Sequence, residues 1–267
     1  MQQAIASFLD RKTAAIDTLI VKKQRLIQLL EEKRTALINQ TVTKGLNPNV
    51  PMKDSGILWI GEIPEHWQAL KLRYISKLYR GKFTHRPRSD PKLYGGSYPF
   101  LQTGDIARAD KFIETYNQTL NELGKQVSVC FPSHTIVMSI AANIGDIAIT
   151  SFDAYFPDSV IGFTPKLSLC SDFLYYLLVS MKLAFEQEAT ENTQKNLNID
   201  RVGNIEIPLP PMEEQEKIAR HLEVSLTRQA EMQMLLNKQI EKLQEYRQSL
   251  ITAAVTGKID IREEVAA

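Results

Sequence analysis

QQAIASFLDRKTAAIDTLIVKKQRLIQLLEEKRTALINQTVTK, residues 2–44, and QEKIARHLEVSLTRQAEMQMLLNKQIEKLQEYRQSLITAAVTG, residues 215–257, can be laid over one another at a fixed offset without a gap. Gln2, Ile5, Ala6, Leu9, Ile27, Leu30, Glu32, Arg34, Leu37, Ile38, Val42 and Thr43 fall on Gln215, Ile218, Ala219, Leu222, Ile240, Leu243, Glu245, Arg247, Leu250, Ile251, Val255 and Thr256. An internal repeat constrains architecture more strongly than any local signal. Here one kind of long helix occurs twice, with different material held between the copies. Neither 1–44 nor 212–256 contains Gly or Pro, the residues most costly inside a helix. The punctuation lies just outside: Gly45, Pro48 and Pro51 after the first segment, Pro208, Pro210 and Pro211 before the second, and Gly257 after it.

Apolar residues recur at spacings of three and four, Ile16, Leu19, Leu26, Leu30 and Leu37 in the first segment and Met232, Leu236, Leu243 and Leu250 in the second. That is a heptad-like seam, broken by Lys23 and Gln239. The residues expected to carry the coil are Leu19, Leu26, Leu30, Leu37, Leu236, Leu243 and Leu250. A helix of about 35–40 residues is roughly 55 Å long, and an amphipathic rod of that length needs a partner along its seam. The other copy fits, in an antiparallel intrachain coiled coil; a generic dimerisation coil is the alternative. Charge runs such as Lys22-Lys23-Gln24-Arg25 and Glu31-Glu32-Lys33-Arg34 read as solvated faces.

The 267 residues carry 43% hydrophobic and 24% charged side chains with a net charge of +1, the composition of an ordinary soluble protein. Cys130 and Cys170 have no pairing pattern, which points to a reduced, cytoplasmic setting. His66, His85, His134 and His221 are scattered, so no metal cluster is expected. The amino-terminal segment is polar and charged, without the apolar core of a signal peptide. The longest apolar run, Phe173 to Phe185, contains Ser180 and Lys182, is too short to span a bilayer, and reads as a buried helix.

Between the rods the pattern turns to short β-like runs at 70–75, 135–140, 146–150, 160–163 and 204–207, with one buried helix over 171–188. The fold class is α+β: one mixed α/β domain flanked by two long helices. The expected divisions are a helix over 1–45, the mixed domain over 46–211, the second helix over 212–257 and a tail over 258–267. From Lys71 to Lys92 the basic residues are Lys71, Arg73, Lys77, Arg80, Lys82, Arg86, Arg88 and Lys92, against one acid, Asp90. Tyr74, Tyr79, Phe83, His85 and Tyr94 are interleaved. Arg and Lys at that density neutralise phosphates, and Arg can read guanine with two hydrogen bonds. Gly81, Pro87, Pro91, Gly95 and Gly96 mark a loop, where recognition residues concentrate.

Several phrases resemble the specificity subunit, HsdS, of type I restriction–modification systems. Met52-Lys53-Asp54-Ser55-Gly56-Ile57-Leu58-Trp59-Ile60-Gly61-Glu62-Ile63-Pro64-Glu65-His66-Trp67 looks like the opening of one of that family's target recognition domains. Leu101-Gln102-Thr103-Gly104-Asp105-Ile106 and Ile140-Ala141-Ala142-Asn143-Ile144-Gly145-Asp146 are similar to its internal motifs. The exit runs from Gln194-Lys195-Asn196-Leu197-Asn198-Ile199 to Ile207-Pro208-Leu209-Pro210-Pro211-Met212-Glu213-Glu214-Gln215-Glu216-Lys217-Ile218-Ala219, leading into the second helix. A full-length member alternates two recognition domains with two helical regions. The present chain holds helix, recognition domain, helix, and is expected to be a half-length subunit, encoded as such or cut from the C-terminal half of a longer one.

The resemblance implies a subunit without catalysis or cofactor of its own. Its recognition domain would read one half of a split target in double-stranded DNA. Its paired helices would act as a spacer and dock the adenine methyltransferase (modification) subunits, with the restriction subunit joining that core. Two copies of the chain could supply two recognition domains. The residues agree with a non-catalytic part: there is no methyl-donor glycine loop, no Asn/Asp-Pro-Pro-aromatic motif and no Walker loop. Asp90-Pro91-Lys92 resembles the tail of a nuclease metal motif without its acidic partner.

Motifs shared by readers of different sequences do not select bases, so Gly56, Trp59, Gly61, Pro64, Trp67, Gly104 and Gly145 read as scaffold. The expected DNA contacts are Arg80, Lys82, His85, Arg86, Arg88 and Lys92, then Thr103, Arg108, Lys111, Lys195 and Asn196, some of them to phosphate alone. The competing readings are a coiled-coil adaptor that touches DNA little and an enzyme with an unrecognised active site.

Overall fold

The computed structural model describes residues 2–57, 59–166, 168–190 and 197–259. The chain divides into two compact units, one formed by Met1–Leu37 with Glu223–Ala267, the other by Ile38–Leu222. Two helices of repeat character run Gln2–Lys44 and Met212–Val255. Gly45, at φ 78°, takes the left-handed conformation that ends the first.

Within the first unit the two helices pack antiparallel. Phe8, Ile16 and Ile20 from one form a core with Ile240, Leu250 and Ala254 from the other, flanked by Ile5, Leu9, Ile27 and Leu243. Polar pairs mark the register. Arg247 Nε and Nη2 donate to the two carboxylate oxygens of Asp17 at 2.8 and 3.2 Å. Lys23 Nζ donates to Gln239 Oε1 at 2.6 Å, and Gln233 Nε2 to Glu31 Oε1 at 3.2 Å. The partner number falls as the first rises, as antiparallel pairing requires.

This seam differs from the one the leucines suggest. Leu19 and Leu26 are 43% and 49% exposed, while Ile16 and Ile20 are buried and Ile27 partly so. A shift of one residue rotates a position by about 100° around a helix of 3.6 residues per turn. Leu19 and Leu26 each precede a seam isoleucine and so fall off the contact. Leu30, Leu37, Leu236 and Leu243 are half-buried and Leu250 is buried. Nor do Lys23 and Gln239 break the seam; they bond to one another across it.

The second unit is built around a five-stranded sheet in the order Ser76–Arg80, Val160–Pro165, Ile136–Ser139, Ile147–Thr150, Phe112–Ile113. The first four are antiparallel neighbours and the last is parallel to its neighbour. The strands 136–139 and 147–150 are buried at every residue, as expected for a sheet covered on both faces. One cover is the helix Ser171–Ser180, whose Phe173 through Leu178 are all buried. It stops at Met181, and a separate helix runs Lys182–Thr190, so the run expected as one helix is two. Leu101, Ile106, Phe131, Val137, Ala148, Phe156 and Val160 form a second core, with Phe131 stacked on Phe156 at 4.7 Å.

The run expected as a strand over 70–75 is interrupted. Gln68–Lys71 is strand, Leu72–Ile75 one helical turn, and Ser76–Arg80 strand again. Leu72 and Ile75, three apart, are both buried, which a helical turn permits and an alternating strand does not.

The opening and exit phrases of the domain meet. Gln68–Lys71 pairs with Glu206–Leu209. Trp67, fully buried, donates from Nε1 to Glu214 Oε2 at 3.0 Å, and His66 Nε2 lies 2.7 Å from Glu214 Oε1. Gln215, only 1% exposed, accepts from the Cys170 N–H at 2.8 Å and donates to the Ser168 and Pro210 carbonyls at 3.2 and 2.9 Å. The root of the second helix is thereby bonded to both ends of the domain.

Candidate nucleic-acid interface

The register of the central sheet assembles the candidate surface. Arg80 is opposite Ile161, Val160 opposite Ser139, and Ile147 opposite Met138. The loop that follows Arg80, the turn 157–159 and the turn 140–146 therefore emerge at one end of the sheet. The Ile140 N–H to Ser159 carbonyl bond, 2.9 Å, ties the two turns together. Lys71, Arg73 and Lys77 precede the sheet or lie in the first half of its edge strand. The basic run, continuous in sequence, is divided in space.

The loop begins under tight backbone restraint. The Gly81 N–H bonds the Val160 carbonyl at 2.8 Å and the Lys82 N–H bonds the Phe156 carbonyl at 3.0 Å. A Cβ on Gly81 would stand 2.1 Å from the Pro157 carbonyl oxygen, so only glycine allows this approach. The Thr84 N–H to Val127 carbonyl bond, 2.9 Å, continues the anchor. Phe83, buried, packs with Leu93, Phe100 and Leu120 beneath the loop.

Three arginines then converge on one residue absent from the sequence-derived set. Arg80 Nε donates to the Asp158 carbonyl oxygen at 2.6 Å, Arg88 Nη2 to Asp158 Oδ1, and Arg86 Nη2 lies 3.6 Å from Asp158 Oδ2. Arg86 also donates to the carbonyls of Phe83 and His85. His85 Nε2 is 3.1 Å from Asp90 Oδ2. Asp90 Oδ1 accepts from the Lys92 N–H at 3.0 Å and caps the turn Pro91–Leu93. That backbone bond, with His85 beside it, holds the Asp90 carboxyl below its ordinary range. Asp90 has the role of a cap, consistent with its lack of a second acid. Lys82 and Lys92 are exposed.

The remaining expected contacts are dispersed. Thr103 opens the short helix Thr103–Arg108 and is half-buried; Arg108 ends it, exposed, and pairs with Asp105. Lys111 departs from expectation. Its ammonium lies 3.1 Å from Asp172 and between 5.2 and 5.6 Å from the rings of Phe112, Tyr175 and Tyr176, with the side chain 15% exposed. An ammonium so caged serves packing against the 171–180 helix, since leaving would expose rings and separate charges. Lys195 and Asn196 lie outside the described residues.

The turn 140–146 contributes exposed Asn143 beside Ala142, which has a positive φ of 61°. Next to it an open cleft of about 440 Å³ is lined by Ala142, Asn143, Ile144, Asp146, Lys182, Glu186 and Ala189. Lys182 neutralises Asp146 at 2.6 Å, and Glu186 leaves the lining net acidic. At this end of the sheet the excess positive charge is therefore on the arginine loop and not in the cleft.

The chain is similar to known proteins along most of its length. The model of the type I restriction modification DNA specificity domain matches residues 64–242. The type I restriction enzyme MjaVIII specificity subunit of Methanocaldococcus jannaschii is 26% identical over 257 residues, 92% of this chain and 58% of that one. The EcoBI specificity subunit of Escherichia coli is 22% identical over 281 residues, 97% of this chain and 56% of that one. Among solved structures, the HsdS subunit from Thermoanaerobacter tengcongensis superposes with a TM-score of 0.63 at 16% identity, covering 97% of this chain and 59% of the other. The chain thus spans a little over half the length of the curated relatives it matches. With two thirds of its residues inside the family model and both long helices and the α/β domain matched in fold, the chain belongs to the type I restriction–modification DNA specificity domain family.

Proposed function

We propose that this chain is a DNA sequence-specificity subunit: its α/β domain reads one half of a split target in double-stranded DNA, and it performs no catalysis itself. The observation that carries this reading is the grouping of Arg80, Arg86 and Arg88 at one end of a rigid sheet, on a loop pinned by main-chain bonds. Guanidinium groups so placed can contact phosphate for position and guanine edges for sequence. Lys82, His85 and Lys92 extend the same loop, and Arg108 and Thr103 supply further contacts from a separate element.

The helical unit serves other proteins. Leu19, Leu26, Leu29, Met232, Met234 and Leu235 are 43–69% exposed, apolar surface left outside the intrachain seam. Docking of adenine methyltransferase subunits, around which the restriction subunit assembles, draws on this apolar surface. No helix among the described residues is long and apolar enough to cross a membrane, and both cysteines are free. Work on DNA in the cytoplasm is compatible with both facts. A second copy of the chain provides the other recognition domain and hence an interrupted palindromic target.

The test is binding of duplex DNA across a salt series, with and without the methyltransferase subunit. A recognition subunit loses affinity steeply with salt; a coiled-coil adaptor shows no steep slope in either state. The double substitution R86E/R88E is expected to abolish DNA binding while association with the methyltransferase persists. Normal DNA binding by that variant would overturn the assignment of the reading loop. Methyl transfer by the purified chain alone would overturn the non-catalytic role.

A further inference from the structure

We infer that Asp158 is a positioning residue for DNA reading, which aims Arg86 and Arg88 at the duplex and so sets base preference. This rests on the DNA-reading role proposed above. Asp158 sits in the turn between the strands Ala154–Phe156 and Val160–Pro165, more than sixty residues beyond the arginines it holds. Its carboxylate takes Arg88 on Oδ1 and Arg86 on Oδ2, and its main-chain oxygen takes Arg80. Three cations from a strand end and a loop are gathered by one residue, two of them at its carboxylate.

The turn is rigid where this matters. The Val160 N–H bonds the Pro157 carbonyl at 3.2 Å, the Gly81 N–H the Val160 carbonyl and the Lys82 N–H the Phe156 carbonyl. A carboxylate mounted on such a turn fixes one edge of the Arg88 guanidinium by a hydrogen bond and draws on Arg86 by charge, while the Phe83 and His85 carbonyls hold the Arg86 Nη1. Each guanidinium has five N–H donors, so the contacts to Asp158 leave others to form the two-pronged approach that guanine O6 and N7 require. Long side chains fixed before binding lose less rotamer freedom when they bind.

Stability does not account for the arrangement. The side chains are 35% exposed for Asp158, 47% for Arg88 and 56% for Arg86, and ion pairs that open to water contribute little to folding. For simple phosphate affinity the acid is a disadvantage, because it cancels charge in the middle of a basic surface. An acid that adds little to the fold and opposes non-specific attraction is explained if it raises the ratio of specific to non-specific binding.

The experiment uses the full chain with its methyltransferase subunit and a pool of randomised duplexes, sequencing the bound fraction, alongside a salt series on one duplex lacking the selected motif. D158N, isosteric and uncharged, is expected to bind the non-specific duplex several-fold more tightly. Its salt slope should steepen by about one, as for one additional phosphate contact. Preference at one or two positions of the half-site should weaken. R88K, which keeps the charge and loses the fork, should blur the same positions without changing the slope, and D158E should restore part of the preference. A D158N motif identical to the wild type overturns the role, and so does equal weakening on all sequences, which would mark Asp158 as support for the loop alone. A wild-type chain that selects no motif would overturn the DNA-reading role itself. Intact wild-type selection with an unaltered D158N profile removes only the assignment of Asp158.

Discussion

The two copies of the helical repeat place the same residues in opposite circumstances. In the second copy Ile218, Ala219 and Leu222 are 1%, 6% and 0% exposed; their counterparts Ile5 and Leu9 are only half-buried and Ala6 is exposed. At the other ends the bias reverses, with Val42 fully buried and its counterpart Val255 66% exposed. Ile218, Leu222 and Val42 belong to the α/β unit, and Ile5, Leu9 and Val255 to the helical one. A repeat therefore specifies a surface, while the neighbouring chain decides whether that surface is covered. The uncovered set repeats the apolar character of the covered one.

The largest break in this comparison should come from charge. V42D places a carboxylate where no water reaches and is expected to cost roughly 3–5 kcal/mol, whereas V255D should change chain stability by no more than about 0.5 kcal/mol. Denaturant titration checks both. If a second copy sits on the uncovered end, V255D should also shift the sedimentation profile towards monomer.

Truncation comes next. L222A removes a fully buried side chain and should cost about 2–5 kcal/mol, with L9A well below that because its site is already open to water. Equal losses at the two sites would show that the exposure difference carries no energetic weight. A smaller effect sharpens the seam itself. K23I replaces the polar seam position bonded to Gln239 and should stabilise the coil by about 1 kcal/mol. The expected drawback is looser register, since a polar seam residue selects one alignment at some loss of stability. Hydrogen exchange along both helices would report each effect.

The smallest test concerns pH. Glu213 is held below its ordinary value of 4.5 by the hydrogen bond from Lys217, one turn along the helix. The first copy has Ala4 at the Lys217 position and no such pair. A carboxyl with a lowered folded-state pKa contributes stability that is present above about pH 4.5 and lost as pH falls through the lower value. In K217A the Glu213 midpoint should rise towards 4.5, read by NMR of the side-chain carboxyl, and the small stability that the pair adds above that pH should be lost.

How much was legible follows from the range of each interaction. The rods were plain because the repeat and the absence of Gly and Pro are local properties. Of the leucines expected in the contact, Leu19 and Leu26 lie one position off it: Leu and Ile are equal in size and hydrophobicity is no guide between neighbours, so only angular position separates them from Ile20 and Ile27. Strands at 136–139, 147–150 and 160–165 showed as apolar runs because both sheet faces are covered. The hairpin Met52–Ile57 with Gly61–Pro64 did not, its first strand being mostly exposed. At the candidate site the arginines announced themselves by density, whereas Asp158 could not, because no local pattern links it to Arg86 and Arg88. The surroundings of Lys111 were hidden for the same reason: Asp172 and the tyrosines that enclose it arrive from a distant helix.

The foundations of the arginine loop are made almost wholly of peptide groups, at Gly81, Lys82 and Thr84. Peptide groups are common to every amino acid, so the mounting is indifferent to most of the loop's side chains, save at Gly81, where a single methyl group would collide with Pro157, at Phe83, whose ring is buried beneath the loop, and at Asp90, which caps its turn. The loop behaves as an interchangeable tool bit in a standard chuck. New targets could be acquired by rewriting a handful of side chains, with the holder left as it stands.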